Sequence, residues 1–329
     1  MTQNLFHFGN LLSQSVKRKR NPVCVGLDPR LESLPPSLIP LNKSDHGAVA
    51  EAFKTFCFEI IDVVCLLVPV VKPQVAFFEQ YGPQGMLALQ QVIAYATSKD
   101  LLVIADAKRG DIGTTAEAYA KAFMGRNGQS PFGADCLTVN PYLGEDSISP
   151  FVDRAMKTSS GIFVLVKTSN PGSGFIQDLQ VGSSTVSERM ADWVQSQSIA
   201  ELASFSTRDF FKTPMASDSD NRYGSIGAVV GATYPEQLEH LRARMPNAWL
   251  LIPGYGAQGG SAREVVAGFD SEGLGAIVNN SRGIIFAHQS EKYRHLDSWQ
   301  HAVEASTRDM IEALAAETTV KHLSAPVPQ

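Results

Sequence analysis

The sequence predicts a single α/β domain, a (β/α)8 or TIM barrel, and three observations lead there. Eight short apolar runs recur along the 329 residues, each followed by a segment of helical periodicity. Six of the eight runs end in charged or amide side chains, which a closed parallel barrel would gather on one rim. No G-x-G-x-x-G follows the first run, which disfavours the doubly wound open sheet.

The elements follow in order. Leu5, Phe8, Leu11, Leu12 and Val16 have the spacing of an amphipathic lead-in helix within residues 1–20, closed by the basic run Lys17–Arg20 as a solvated end. Strands are expected at Val23–Leu27, Val68–Lys72, Leu101–Asp106, Cys136–Val139, Ile162–Val166, Ala228–Gly231, Trp249–Ile252 and Ala276–Asn279. Helices are expected at Ala48–Leu66, Pro83–Ser98, Ile112–Met124, Asp146–Met156, Thr185–Leu202, Pro235–Arg244, Ala262–Gly268 and from Trp299 to about Glu317. The polar segment Ser204–Tyr223 reads as an insertion before the sixth strand, and Ser324–Gln329, with two prolines, as a frayed tail.

The densest chemistry lies in Asp106–Asp111, D-A-K-R-G-D, at the exit of the third strand. Alternation along a strand puts Asp106 and Lys108 on one face. Gly110 allows a turn, after which Asp111 and Thr115 are expected together on the first turn of a helix. Charges at a buried strand end are costly unless paired or used. A salt-bridge cluster tying strand to helix would explain the bare string equally well.

Two further loops point to an anion. Residues 253–260, P-G-Y-G-A-Q-G-G, place four glycines after the seventh strand, where backbone N–H groups can approach a phosphate. After the eighth strand, Asn279–Gly283 brings the Arg282 guanidinium and more backbone donors. Those two loops are the usual phosphate cradle of this barrel. Lys167–Gly174 adds hydroxyl and amide groups after the fifth strand, although its composition also suits an ordinary turn.

Composition excludes several classes. A net charge of −5 leaves no basic footprint for nucleic acid. No segment has the length of a membrane span and no signal-peptide run opens the chain. Cys24 and Cys136 in strands, and Cys57 and Cys65 in a helix, form no C-x-x-C pair and read as small core residues of a reducing cytoplasm. His288 and His295 stand in a polar surface stretch, without the context of a metal site.

Taken together, the motifs resemble those of the orotidine 5′-phosphate decarboxylase family over nearly the whole chain. Gly26–Asp28, Lys72, the Asp106–Asp111 element with Thr115, Thr168–Gly172, residues 253–260 and Ser281–Gly283 occur in the family's order. The resemblance implies a homodimeric barrel with no cofactor and no metal, converting orotidine 5′-monophosphate to UMP in pyrimidine synthesis. By motif, Asp28 and Lys72 would contact the ribose. Lys72, Asp106, Lys108 and Asp111 would form an alternating charge row, with Asp111 and Thr115 reaching into the neighbouring subunit's site. Ser169 would read the pyrimidine edge, while Gly256, Gln258 and Arg282 would close over the phosphate. Asn279–Ser281 departs from the more apolar stretch of many members, and the Ser204–Tyr223 insertion with the Ser173–Ser183 loop suggests the longer bacterial subgroup. Two alternatives stay open: a Mg2+-dependent sugar-phosphate decarboxylase or aldolase of the same superfamily, and a non-catalytic pyrimidine nucleotide-binding barrel. Lys72, standing where the metal-dependent relatives place an acidic ligand, speaks against the first.

Overall fold

A computed structural model describes residues 7–206, 222–256 and 261–324. Eight parallel strands close into a barrel: β1 Val23–Leu27, β2 Val70–Pro73, β3 Leu102–Arg109, β4 Cys136–Val139, β5 Gly161–Lys167, β8 Ile226–Val230, β9 Leu250–Ile252 and β10 Ala276–Asn280. The strands between them, β6 Gln180–Val181 and β7 Ser184–Thr185, make a small antiparallel hairpin outside the barrel. Closure is direct, since β1 pairs with β2 (Cys24 with Val70) and with β10 (Val23 with Val278). The open-sheet alternative is thereby excluded.

Alternation sorts each strand into two cores. Val23, Val25 and Leu27 face the surrounding helices, whereas Cys24 joins Val70, Ile104, Cys136, Phe163, Trp249 and Ile277 inside the barrel. Helix α1 (Phe8–Lys19) plugs the bottom with Phe8, Leu12 and Val16. Phe8 meets Phe163 edge-on, and a Cβ on Gly161 would strike the Phe8 ring at 2.3 Å, so only glycine fits there. The expected basic end is confirmed: Arg20 caps α1 in the left-handed conformation and Arg18 pairs with Asp100. Leu5 lies outside the described residues.

The outer layer is built from α2 (His46–Val64), α3 (Val75–Glu79), α4 (Gly82–Ser98), α5 (Gly113–Phe123), α6 (Glu145–Thr158), α7 (Gly174–Gln177), α8 (Val186–Ser206), α9 (Pro235–Arg244), α10 (Arg282–Ile285) and α11 (Trp299–Glu317). Asp45 starts α2 by accepting from the Gly47 and Ala48 amides, satisfying two of the first-turn donors.

Some expectations need correction. Helix α5 begins at Gly113, so Asp111 precedes its first turn. Cys65 lies just beyond α2 and is half-buried, unlike Cys24, Cys57 and Cys136. The segment after β9 is a 3-10 helix, Arg263–Gly268. The insertion expected at Ser204 starts later, because α8 continues to Ser206; residues 207–221 and 325–329 lie outside the described residues.

Candidate active site

Inward positions of neighbouring strands carry the site. Above Val70 on β2 the next inward residue is Lys72, above Ile104 on β3 it is Asp106, and above Cys136 on β4 it is Thr138. Lys72 and Asp106 have side chains only 5% and 8% exposed. Lys72 Nζ donates to Asp106 Oδ2 at 2.7 Å and Lys108 Nζ to Oδ1 at 2.6 Å. Gln74 Nε2 donates to Oδ2 at 2.9 Å and Thr138 Oγ1 to Oδ1 at 2.9 Å. Asp106 is thus an acceptor for four donors.

Its electrostatics follow. Burial alone would raise the Asp106 carboxyl, but the Lys72 and Lys108 charges outweigh it and hold the group well below the usual carboxylate range. Burial would likewise lower the Lys72 ammonium, but Asp106 and Asp28 hold it well above its ordinary value. Lys72 and Asp106 are therefore both ionised at neutral pH.

Lys108 stands at an irregularity. The β3–β4 ladder shifts register between Ala105 and Arg109, and Lys108 has φ 49°, in the left-handed region that costs a non-glycine residue about 1 kcal/mol or more. Its amide is held by Thr138 Oγ1 at 2.9 Å, so Thr138 fixes both Asp106 and the backbone of Lys108. Lys72, Asp106, Lys108 and Thr138 line the floor of a cavity of about 970 Å3 whose walls include Leu165, Ser169, Phe175, Ile176 and Val229.

The other predicted residues distribute as follows. Asp28 follows β1 and keeps one buried oxygen without a hydrogen-bond partner among the described residues. A Cβ on Gly26 would lie 2.7 Å from Ser281, so the glycine lets β1 approach the loop after β10. Ser169 lines the cavity, as do Thr168 and Asn170. Lys167 does not line it: the ladder slips between Leu165 and Lys167, and Lys167 pairs with Asp178 instead. Gly256 has φ 75°, and Gln258 lies outside the described residues. Arg282 is exposed at the start of α10. Among the described residues of one chain Asp111 and Thr115 do not join the row, and the Asp111 carboxylate accepts only from the Ile112 amide, at 2.8 Å.

Sequence reading missed Gln74 and Thr138. Both were within reach of period-2 counting, two residues beyond Lys72 and Cys136 respectively, but neither carries a charge to draw attention. Among the described residues no three His, Cys, Asp or Glu side chains are grouped to hold a metal ion, and no helix is long and apolar enough to cross a membrane.

Comparison with known proteins agrees with this geometry. The family described as Orotidine 5'-phosphate decarboxylase / HUMPS matches residues 21–295. The chain is similar to the Orotidine 5'-phosphate decarboxylase of Rhodopirellula baltica, with 50% identity over 93% of this chain and 98% of that one. Among solved structures it is similar to Leishmania donovani OMP decarboxylase (31% identity, TM-score 0.68, 98% of this chain and 100% of that one). It is also similar to Leishmania donovani UMP synthase (34% identity, TM-score 0.70), covering 95% of this chain but 56% of that longer one. The chain belongs to the orotidine 5′-phosphate decarboxylase / HUMPS family.

Proposed function

We propose that Lys72, Asp106 and Lys108 carry out the decarboxylation of orotidine 5′-monophosphate to UMP and CO2, the family's step in pyrimidine synthesis. One observation carries the reading: two ammonium groups lie 2.7 and 2.6 Å from the two oxygens of one buried carboxylate, at the floor of a cavity. When the C6–carboxylate bond breaks, its electron pair stays on C6 as a vinyl carbanion with no ring position to receive it. A preorganised cation is what such a centre needs. Lys108 stabilises the developing charge and then gives its Nζ proton to C6, forming UMP; water returns the proton. Asp106 and Thr138 hold Lys108 for that transfer, and Lys72 with Asp28 binds the ribose.

Gly256, Gln258 and Arg282 grip the phosphate, far from C6, so that binding energy there closes the site. Ser169 reads the pyrimidine edge. No cofactor or metal enters this scheme. The metal-dependent alternative would have an acidic ligand at the end of β2, and that position is Lys72, already committed to Asp106. A non-catalytic nucleotide-binding barrel would have no use for the charge row.

The working unit in this reading is a homodimer in which Asp111 and Thr115 complete the partner's row. Support comes from their accessibility and from apolar side chains beside the cavity mouth, Tyr142 at 73% and Phe175 at 82% exposure. Free cysteines without a disulfide, three of them buried, suit a cytoplasmic protein.

The direct test is the absorbance loss of orotidine 5′-monophosphate on adding purified protein with EDTA present. Conversion to UMP is expected; no conversion by folded protein would redirect attention to sugar phosphates with Mg2+. The shared site has its own test. Lys108→Ala and Asp111→Ala proteins should each be nearly inactive, and mixing them under subunit exchange should restore activity through heterodimers with one intact site. Exchange without recovery would contradict the cross-subunit role.

A further inference from the structure

Burying an ammonium group is costly unless a counter-charge meets it, and one such group is not used by the decarboxylation. Lys167 closes β5 with its side chain 3% exposed. Its Nζ lies 2.7 and 2.8 Å from the two oxygens of Asp178, eleven residues along the chain. The ring of Tyr234, from the loop after β8, lies 5.7 Å from the same ammonium. Asp178 is the only carboxylate paired with Lys167 among the described residues. Gly174 makes the room, since a Cβ there would come within 2.8 Å of Asp178 Oδ2.

A second rung lies beside the first. The Thr168 amide donates to Gln177 Oε1 at 2.9 Å, and Gln177 Nε2 donates to Thr168 Oγ1 at 2.9 Å. The two rungs tie together the ends of a loop whose first residue past them is Ser169. Behind it, a Cβ on Gly231 would lie 2.9 Å from Ser169 Cα, and Thr233 Oγ1 donates to the Ser169 carbonyl at 3.3 Å.

We propose that Lys167 and Asp178 are positioning residues that hold Ser169, with the cavity wall formed by Phe175 and Ile176, against the pyrimidine. This rests on the assignment of Ser169 to the pyrimidine edge. Without the Asp178 charge, the buried Lys167 ammonium loses its counter-charge, and the 168–178 loop shifts to admit water to it, carrying Ser169 along. Asp28 and Arg282 follow β1 and β10, so recognition of the ribose phosphate stays in place.

The test uses inhibition constants for UMP, CMP and ribose 5-phosphate on wild type, Asp178→Asn, Ser169→Ala and the double variant, with thermal melts as a folding control. Asp178 is half-exposed on the surface side, and Asn preserves its shape, so the variant should fold. Asp178→Asn should weaken UMP about tenfold, the cost of a small misplacement, and shrink the UMP-over-CMP preference. Ribose 5-phosphate should change less than about twofold, and combination with Ser169→Ala should add no further loss, as for residues acting through one another. Lys167→Met should reproduce the effect and Lys167→Arg should recover most of it. Unchanged UMP and CMP constants in Asp178→Asn, or losses that multiply with Ser169→Ala, would overturn the positioning role. A Ser169→Ala protein with undiminished UMP preference would instead overturn the Ser169 assignment itself, and the proposal with it.

Discussion

Asp106 and Asp135 are two carboxylates of one barrel, both nearly out of reach of water and both beside cations, yet they behave in opposite ways. Asp106, at the top of β3, is held below the ordinary carboxylate range against its burial by Lys72 and Lys108. Asp135, at the bottom just before β4, is raised, because burial outweighs the single Arg126 guanidinium. Asp135 accepts from the Val103 amide at 2.7 Å and from Arg126 Nη2 at 2.6 Å, while Arg126 also bonds the Leu101 carbonyl at 2.7 Å. That network staples the strand bottoms together, and none of its residues lines the cavity above Asp106. The difference lies in the number of facing cations and in access: two amines over a cavity keep a charge ready for chemistry, one guanidinium in a sealed corner holds a fold.

The largest expected effect breaks that pairing at the top. Asp106→Asn should lower kcat/KM by about 10^3-fold or more, since it frees both lysines, and should also cost stability, because the buried Lys72 ammonium loses its counter-charge. Asp135→Ala should cost stability alone, about 3 kcal/mol in denaturant titration, with activity per folded molecule kept. Equal activity losses in the two variants would erase the distinction. Arg282→Ala comes next, with an expected rise in KM and about a 10^2-fold loss in kcat/KM; unchanged kinetics would remove Arg282 from the phosphate site.

Stability against pH sharpens the contrast. The folded-state value of Asp106 lies below its ordinary 3.8, so its pairs stabilise above about pH 4 and are lost as pH falls through the folded value. Asp135 lies above 3.8, so its ionisation opposes folding and its protonation at lower pH relieves that cost. Between about pH 5 and 3, the stability lead of wild type over Asp106→Asn should shrink as pH falls, and its margin relative to Asp135→Asn should grow. Parallel curves for the two variants would contradict the assigned directions.

The bottom plug adds a pH dependence of its own. Burial pushes the His7 imidazole at the head of α1 down to about 4, so stability should be complete above its ordinary 6.5 and fall as pH drops from there toward 4. His7→Gln should flatten that slope in chemical denaturation.

The barrel was legible because its signal is redundant. Val23–Leu27, Cys136–Val139 and Pro235–Arg244 have the predicted bounds, each an apolar or amphipathic run bracketed by turn residues or prolines. The Asp106–Lys108 contact was legible from alternation alone, although the backbone reaches it through a left-handed Lys108 that no pattern announces. Gln74 and Thr138 escaped because neutral side chains acquire a role only when the fold brings them to Asp106. The polar end of the fifth strand divides for a related reason: Thr168, Ser169 and Asn170 line the cavity, while Lys167 pairs with Asp178 where the β5–β8 ladder shifts register, which no sequence pattern announces. Helix α7 and the β6–β7 hairpin are too short for periodicity to detect.

The central claim, that Lys108 is the cation and proton donor at C6, is tested most directly by turnover of orotidine 5′-monophosphate with Lys108→Ala, its fold checked by circular dichroism and its UMP affinity measured alongside. A loss of kcat of about 10^4-fold or more is expected, with a folded protein that still binds UMP. Turnover within about tenfold of wild type would contradict it and move the proton donor elsewhere in the cavity.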